Sequence, residues 1–98
     1  MDQSNRRIKI LVVCGMGVGS SYFVMQNVIS AVKNLRWQAE VENTDIFNAA
    51  ALEADVIVGA DYLVELVESD AVKISLEDLL DEVELQEKLE SLKERFDG

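Results

Sequence analysis

Apolar and polar positions along the chain fall into blocks of different period. Ile8, Ile10, Leu11, Val12 and Val13 form a nearly continuous apolar run rich in β-branched side chains. A strand without alternation must be covered on both faces, as in the middle of a parallel sheet. Glycines follow at once, and then a helical pattern begins. Tyr22, Met25, Val28, Ile29, Val32 and Leu35 recur at spacings of three and four, with Gln26, Asn27, Ser30, Lys33 and Asn34 on the other face. Ser20 or Ser21 is placed to cap this helix and Asn34 to end it. Trp37, Ala39 and Val41 then alternate with Gln38, Glu40 and Glu42. That is a strand with one wet face, suited to a sheet edge.

The remainder continues the alternation of strand and helix. "TDIFNAAALE" reads as a loop and a short helix capped by Thr44 or Asp45. Val56 to Val58 form a second continuous apolar strand, with Gly59 as its stop. "DYLVELVESD" is a short helix or turn, and "AVKIS" a fourth strand. In the tail, Leu76, Leu79, Leu80 and Val83 share one helical phase, and Leu85, Leu89, Leu92 and Phe96 another. The slip predicts a turn near 77–80 and a helix from about 82 to 96. Ser75 to Asp78 and Asp81 to Glu84 both have capping-box spacing, and Glu84 and Lys88 form a favourable i,i+4 pair.

Strands alternating with helices predict an α/β fold of three layers: an open sheet of four parallel strands with helices on both faces. The alternating second strand belongs at an edge beside the first, giving the order 2-1-3-4. The 98 residues fit one domain, 1–98, with one modest core. No apolar run approaches the length of a membrane span, and no signal-peptide pattern is seen. The single cysteine makes no internal disulfide and suits a reducing compartment, so a cytoplasmic location is expected.

Composition narrows the chemistry. There is no histidine, which removes Ser-His and Cys-His catalysis in cis and histidine-based metal sites. One cysteine cannot build a zinc or iron–sulfur cluster, and the carboxylates show no calcium-loop spacing. No cofactor is expected. The net charge is −10, with fifteen of the nineteen acidic residues in positions 51–98. Nucleic acid and anionic lipid would be repelled. The first half is close to neutral, so an anion could reach it unopposed if the fold keeps the two halves apart.

The chemistry concentrates in "CGMGVGSS", Cys14 to Ser21, between the first strand and the first helix. In this strand order the reversal lies between strands 1 and 3, where open parallel sheets bind ligands. Gly15, Gly17 and Gly19 allow successive amides to converge on an anion, the helix dipole adds positive potential, and Ser20 and Ser21 add hydroxyls. The nucleotide loop G-x-x-x-x-G-K-[ST] is excluded because no lysine is present, and the dinucleotide fingerprint G-x-G-x-x-G fails at Ser20. A thiolate heading such a loop has a depressed pKa and is an effective nucleophile. Alone, Cys14 would be read as a buried packing thiol. With the glycine pattern at a strand–helix junction, the nucleophile is favoured; a redox role lacks a resolving cysteine.

"CGMGVGSS" after an apolar strand resembles the phosphate-binding loop of IIB components of the bacterial sugar phosphotransferase system, closest to the ascorbate and galactitol type. Length, strand–helix order and the strand beginning Asp55-Val-Ile-Val fit as well. The resemblance implies that Cys14 accepts a phosphoryl group from a phosphohistidine of a IIA protein. It implies further that Cys14 passes the group to a sugar entering through a membrane-embedded IIC permease, with peripheral association at that membrane. Cys14 is then the catalytic residue, and Gly15, Met16, Gly17, Val18, Gly19, Ser20 and Ser21 bind phosphate. The loop is also similar to that of low-molecular-weight tyrosine phosphatases, C-x5-R-S, but the arginine position is Ser20. Two alternatives stay open: a phosphatase, with Asp55 or Asp61 as candidate general acid, and a non-catalytic interaction domain. Both aspartates are more simply solvated residues flanking a strand. Tyr22 reads as packing rather than chemistry. Met16 and Val18 at the loop tip could form an apolar docking surface or pack back on the sheet.

Overall fold

The computed structural model describes residues 8–13, 18–77 and 81–92, with the side chains of 18–21 outside the description. Four strands, β1 (Ile8–Val13), β2 (Ala39–Thr44), β3 (Val56–Ala60) and β4 (Val72–Leu76), alternate with four helices. The helices are α1 (Val18–Asn34), α2 (Ile46–Ala51), α3 (Asp61–Val64) and α4 (Glu82–Glu90). All strand pairs are parallel and the order is β2-β1-β3-β4, as the hydrophobic pattern predicts. The central strands β1 and β3 are covered on both faces. Ile8, Ile10, Val12, Val56 and Val58 share a core with residues of α1 and α4. Leu11, Val13, Ile57 and Ala60 share the opposite core with Ala49 of α2 and Leu63 and Val64 of α3. The edge strand β2 has the expected alternation, with Ala39 and Val41 half-buried and Glu40 and Glu42 exposed.

Several boundaries differ from the sequence reading. The helix α1 begins at Val18, so Ser20 and Ser21 lie within it and do not cap it. Val18 and Gly19 are weak helix formers, and context overrides that weak preference. The buried face of α1 is Val24, Val28, Ala31 and Val32, with Met25 and Leu35 packed alongside. Tyr22 is more than half exposed and meets Phe23 edge-on, with ring centroids 6.4 Å apart. Counting Tyr22 as apolar had rotated the predicted stripe; Ala31 holds its place in it through small size.

Trp37 is buried but precedes β2, which starts two residues later at Ala39. It belongs to the termination of α1. Trp37 N–H donates to Val32 O at 3.0 Å and Arg36 N–H to Lys33 O at 3.1 Å, a Schellman pattern. Arg36 occupies its left-handed position at φ 62°. Gly59 does not stop β3: the strand runs through it to Ala60. The fourth strand starts one residue later than read and takes in Ser75 and Leu76. Asp45 caps α2, its carboxylate accepting from Asn48 N–H at 2.7 Å, while Thr44 ends β2.

In the tail, Asp81 caps α4, accepting from the N–H groups of Val83 and Glu84 at 3.0 and 3.1 Å. Leu85 and Leu89 are fully buried, and Glu84 pairs with Lys88 at 3.0 Å. The helix stops at Glu90, short of the expected 96, where Ser91 N–H donates to Glu87 O. The turn residues 78–80 and the tail 93–98 lie outside the described residues.

Arg36 generates a stability prediction. A side chain in left-handed backbone costs about 1–2 kcal/mol, offset in part by glycine's greater freedom when unfolded. Arg36→Gly should therefore stabilise the fold by roughly 0.5–1 kcal/mol, a melting-temperature rise of a few degrees. Thermal denaturation followed by circular dichroism checks it; a lowered Tm would show that the arginine makes an offsetting contact.

Candidate functional site

The sheet has two ends, and its carboxyl end is where a parallel α/β fold places ligands. The residue directly following each strand marks that end. After β2 it is Asp45, after β3 Asp61 and after β4 Glu77; after β1 it is Cys14. Three strands thus hand over to a carboxylate and one to the chain's thiol. Cys14, Gly15, Met16 and Gly17 lie outside the described residues. Val18, Gly19, Ser20 and Ser21 form the first turn of α1. The structure therefore fixes the two anchors of the loop: the carboxyl end of β1 and the amino end of α1.

The amino end of α1 differs electrostatically from the other helix starts. First-turn amides lack partners within their helix and carry the positive end of the dipole. In α3 and α4 acidic side chains sit in that turn: Asp61 in the first, Glu82 and Glu84 in the second. The first turns of α1 and α2 both lack an acidic residue, but α2 is capped by the Asp45 carboxylate. An anion at the carboxyl end therefore finds positive potential at α1 that no neighbouring carboxylate in the same turn cancels. The acidic half of the sequence is nevertheless not kept away, because Asp61 and Glu77 come from it and stand on this end. An anion's approach to the loop is not unopposed.

Two residues raised by the sequence part company here. Asp61 stands at the carboxyl end and is exposed. Asp55 stands at the opposite end of β3, where its carboxylate accepts from Lys9 N–H at 2.8 Å and its own N–H donates to Lys9 O at 2.9 Å. A strand's length from the loop, Asp55 is a structural pin and not a general acid for chemistry there.

Sequence reasoning missed the part Gly59 plays. A Cβ at Gly59 would lie 3.0 Å from Val13 O and 3.3 Å from the Val64 side chain. The missing side chain lets the end of β1, one bond from Cys14, close against β3. The legible signal was a glycine inside an otherwise apolar strand, which marks close backbone approach as often as a stop. Among the described residues, no group of three or more acidic or thiol side chains is placed to share a metal ion, and no helix is long and apolar enough to cross a membrane.

Comparison with known families decides what this junction belongs to. A family model described as the lactose/cellobiose-specific IIB subunit of the phosphotransferase system matches residues 9–91. The chain belongs to the IIB family of the phosphotransferase system. The match begins inside β1 and ends just past α4, so it spans all eight elements and the loop. It makes the chain a phosphotransferase component of sugar transport, a role exercised with IIA and IIC components. It does not support the ascorbate and galactitol subgroup, which had rested on the spelling of the loop. No curated protein matches the chain.

The packing at Gly59 can be tested directly. Overpacking against backbone costs about 1–3 kcal/mol. Gly59→Ala should lower stability by that amount in urea unfolding. Adding Val64→Ala removes only the side-chain contact and should not restore stability, because Val13 O remains in place. Full recovery in the double variant would show that the backbone contact yields freely.

Proposed function

We propose that this IIB component carries the phosphoryl group on Cys14, taking it from a phosphohistidine of a IIA protein and giving it to a sugar delivered by IIC. One observation supports the reading above others: Cys14 is bonded to the buried last residue of β1, and the chain after it leads into the first turn of α1, which carries no acid. The family match supports the transfer role in general.

The steps balance without a cofactor. The Cys14 thiolate attacks phosphorus in line; the P–S bond forms as the P–N bond to the donor imidazole breaks, and the imidazole leaves to take up a proton. In the second step a sugar hydroxyl oxygen attacks the same phosphorus, the P–S bond breaks, and the hydroxyl proton leaves to solvent or base. Positioning and electrostatics dominate such transfers. The amides of Gly15 to Ser21 and the hydroxyls of Ser20 and Ser21 are assigned to the phosphoryl oxygens. Ser20 stands where a phosphatase loop of this spacing has arginine. Neutral donors hold the group without the bidentate clamp that would favour attack by water.

Two outcomes are expected. Incubated with phosphoenolpyruvate, the general phosphotransfer proteins and a lactose/cellobiose-type IIA protein, the chain should gain one phosphoryl group, mapped to Cys14 by mass spectrometry. Cys14→Ser should gain none; equal labelling of that variant sinks the proposal. In Ser20→Arg the phosphorylated protein should lose its label to water about tenfold faster or more. An unchanged half-life would mean that Ser20 is not what spares the phosphocysteine.

A further inference from the structure

The open sheet has two edges, β2 and β4, and an edge strand presents backbone N–H and C=O groups that can recruit another strand. The two edges differ in what a second copy would meet. Successive residues of a strand turn their backbone groups to alternate sides. Ile8 N–H donates to Gln38 O at 2.9 Å, so Ala39, Val41 and Asn43 turn theirs outward on β2. A second copy paired antiparallel about Val41 would set Glu40 opposite Glu42, and like charges in that position repel. On β4, Val72 N–H donates to Asp55 O at 3.0 Å, so Lys73, Ser75 and Glu77 turn their backbone groups outward. The same pairing about Ser75 would set Lys73 opposite Glu77, twice by symmetry, and that is attractive. Both side chains are exposed, and alternate residues of a strand share a face. The Lys73 ammonium donates to Val67 O at 2.6 Å and, with three N–H groups, keeps donors for a carboxylate opposite.

Two of the backbone groups that this pairing needs are already in use. The mutual Ser75 pair requires Ser75 O, and the Lys73–Glu77 pair requires Glu77 N–H. Lys88 Nζ donates to Ser75 O at 2.6 Å, and Glu77 N–H donates to Glu84 Oε2 at 3.1 Å. Lys88 also donates to Glu84 Oε2 at 3.0 Å. One ion pair of α4 thus places a donor and an acceptor on the edge where a fifth strand would place its own. The buried Leu85 and Leu89 hold the helix, and with it the pair, against the sheet. We propose that the outer edge of β4 is a latent interaction surface for a second copy of this chain, kept shut by the Lys88–Glu84 pair. Loss of that pair frees Ser75 O and Glu77 N–H, and two sheets join through β4 with Lys73 and Glu77 crossing the join. The net charge of −10 on each copy opposes the approach, but salt confines that repulsion to a screening length of about 8 Å at 0.15 M. The proposal does not depend on the transfer reading, since the join lies two strands from β1.

The test is sedimentation equilibrium of the full chain at about 0.15 M salt. Lys88→Ala/Glu84→Ala opens the edge, and alanine preserves the helix. This variant should dimerise about tenfold more tightly than the parent or better, and hydrogen exchange at Ser75 N–H should slow as the dimer forms. Adding Glu77→Lys sets lysine opposite lysine and should return the dimer affinity to within about threefold of the parent's. An affinity of the double variant within about threefold of the parent's overturns the proposal. So does tight association that Glu77→Lys leaves unchanged, which would place the contact elsewhere on the molecule. Should circular dichroism show the double variant unfolded, Lys88→Gln decides by the same criteria. It frees Ser75 O while Glu84 stays in place at Glu77 N–H.

Discussion

The close pairing of β1 with β3 is the constraint on which the rest of the structure depends. Both strands are apolar on both faces, and their side chains feed two cores at once. Such strands have an inherent weakness. A slip of one residue would exchange one apolar set for another, so the hydrophobic pattern alone specifies register poorly. Two features outside that pattern supply the specification. At the amino end, Asp55 grips Lys9 through both its carboxylate and its backbone N–H. At the carboxyl end, a Cβ at Gly59 would press on Val13 O at 3.0 Å, closer than an ordinary contact. In a slipped register Val58 or Ala60 would face that carbonyl, and the Asp55 carboxylate would lose the Lys9 N–H. A polar pin and a steric pin thus hold the strand whose next residue is Cys14.

Much of this architecture was legible in the sequence, because burial writes itself into the pattern. Continuous apolar runs in β1 and β3 and alternation in β2 were sufficient for the order β2-β1-β3-β4. What could not be read were features set by geometry. Trp37 looked like a strand residue because its neighbours alternate, yet its backbone belongs to the Schellman turn that ends α1. Tyr22 looked like core because an aromatic ring at the right spacing scores as apolar; the phase of α1 is set by Val24, Val28 and Ala31. Gly59 looked like a stop because glycine marks both endings and close contacts, and only the partner strand distinguishes them. At the site, the junction and its residue types were legible, and with them the IIB family. The subgroup was not: the spelling of the loop pointed to one that the family match does not support.

The placement of acids at the carboxyl end bears on how such a loop can hold phosphate at all. At about 10 Å in water, a pair of unit charges interacts by roughly 0.4 kcal/mol before screening. Salt at physiological strength reduces this further, because the screening length is about 8 Å. Each hydrogen bond from an amide to a charged phosphoryl oxygen contributes about 1.5–3 kcal/mol. Under the proposed transfer, several such bonds at the start of α1 would outweigh Asp45 and Asp61 once the group is seated. The balance reverses before contact, when the amides are too far to bond and only the long-range field acts. On that proposal the acidic end would do little against a phosphoryl group already on the loop, but it would oppose the arrival of a free anion. A protein that brings the group with its own positive charges escapes that opposition. On the proposed reading, these carboxylates would thus favour transfer from a protein over capture from solution.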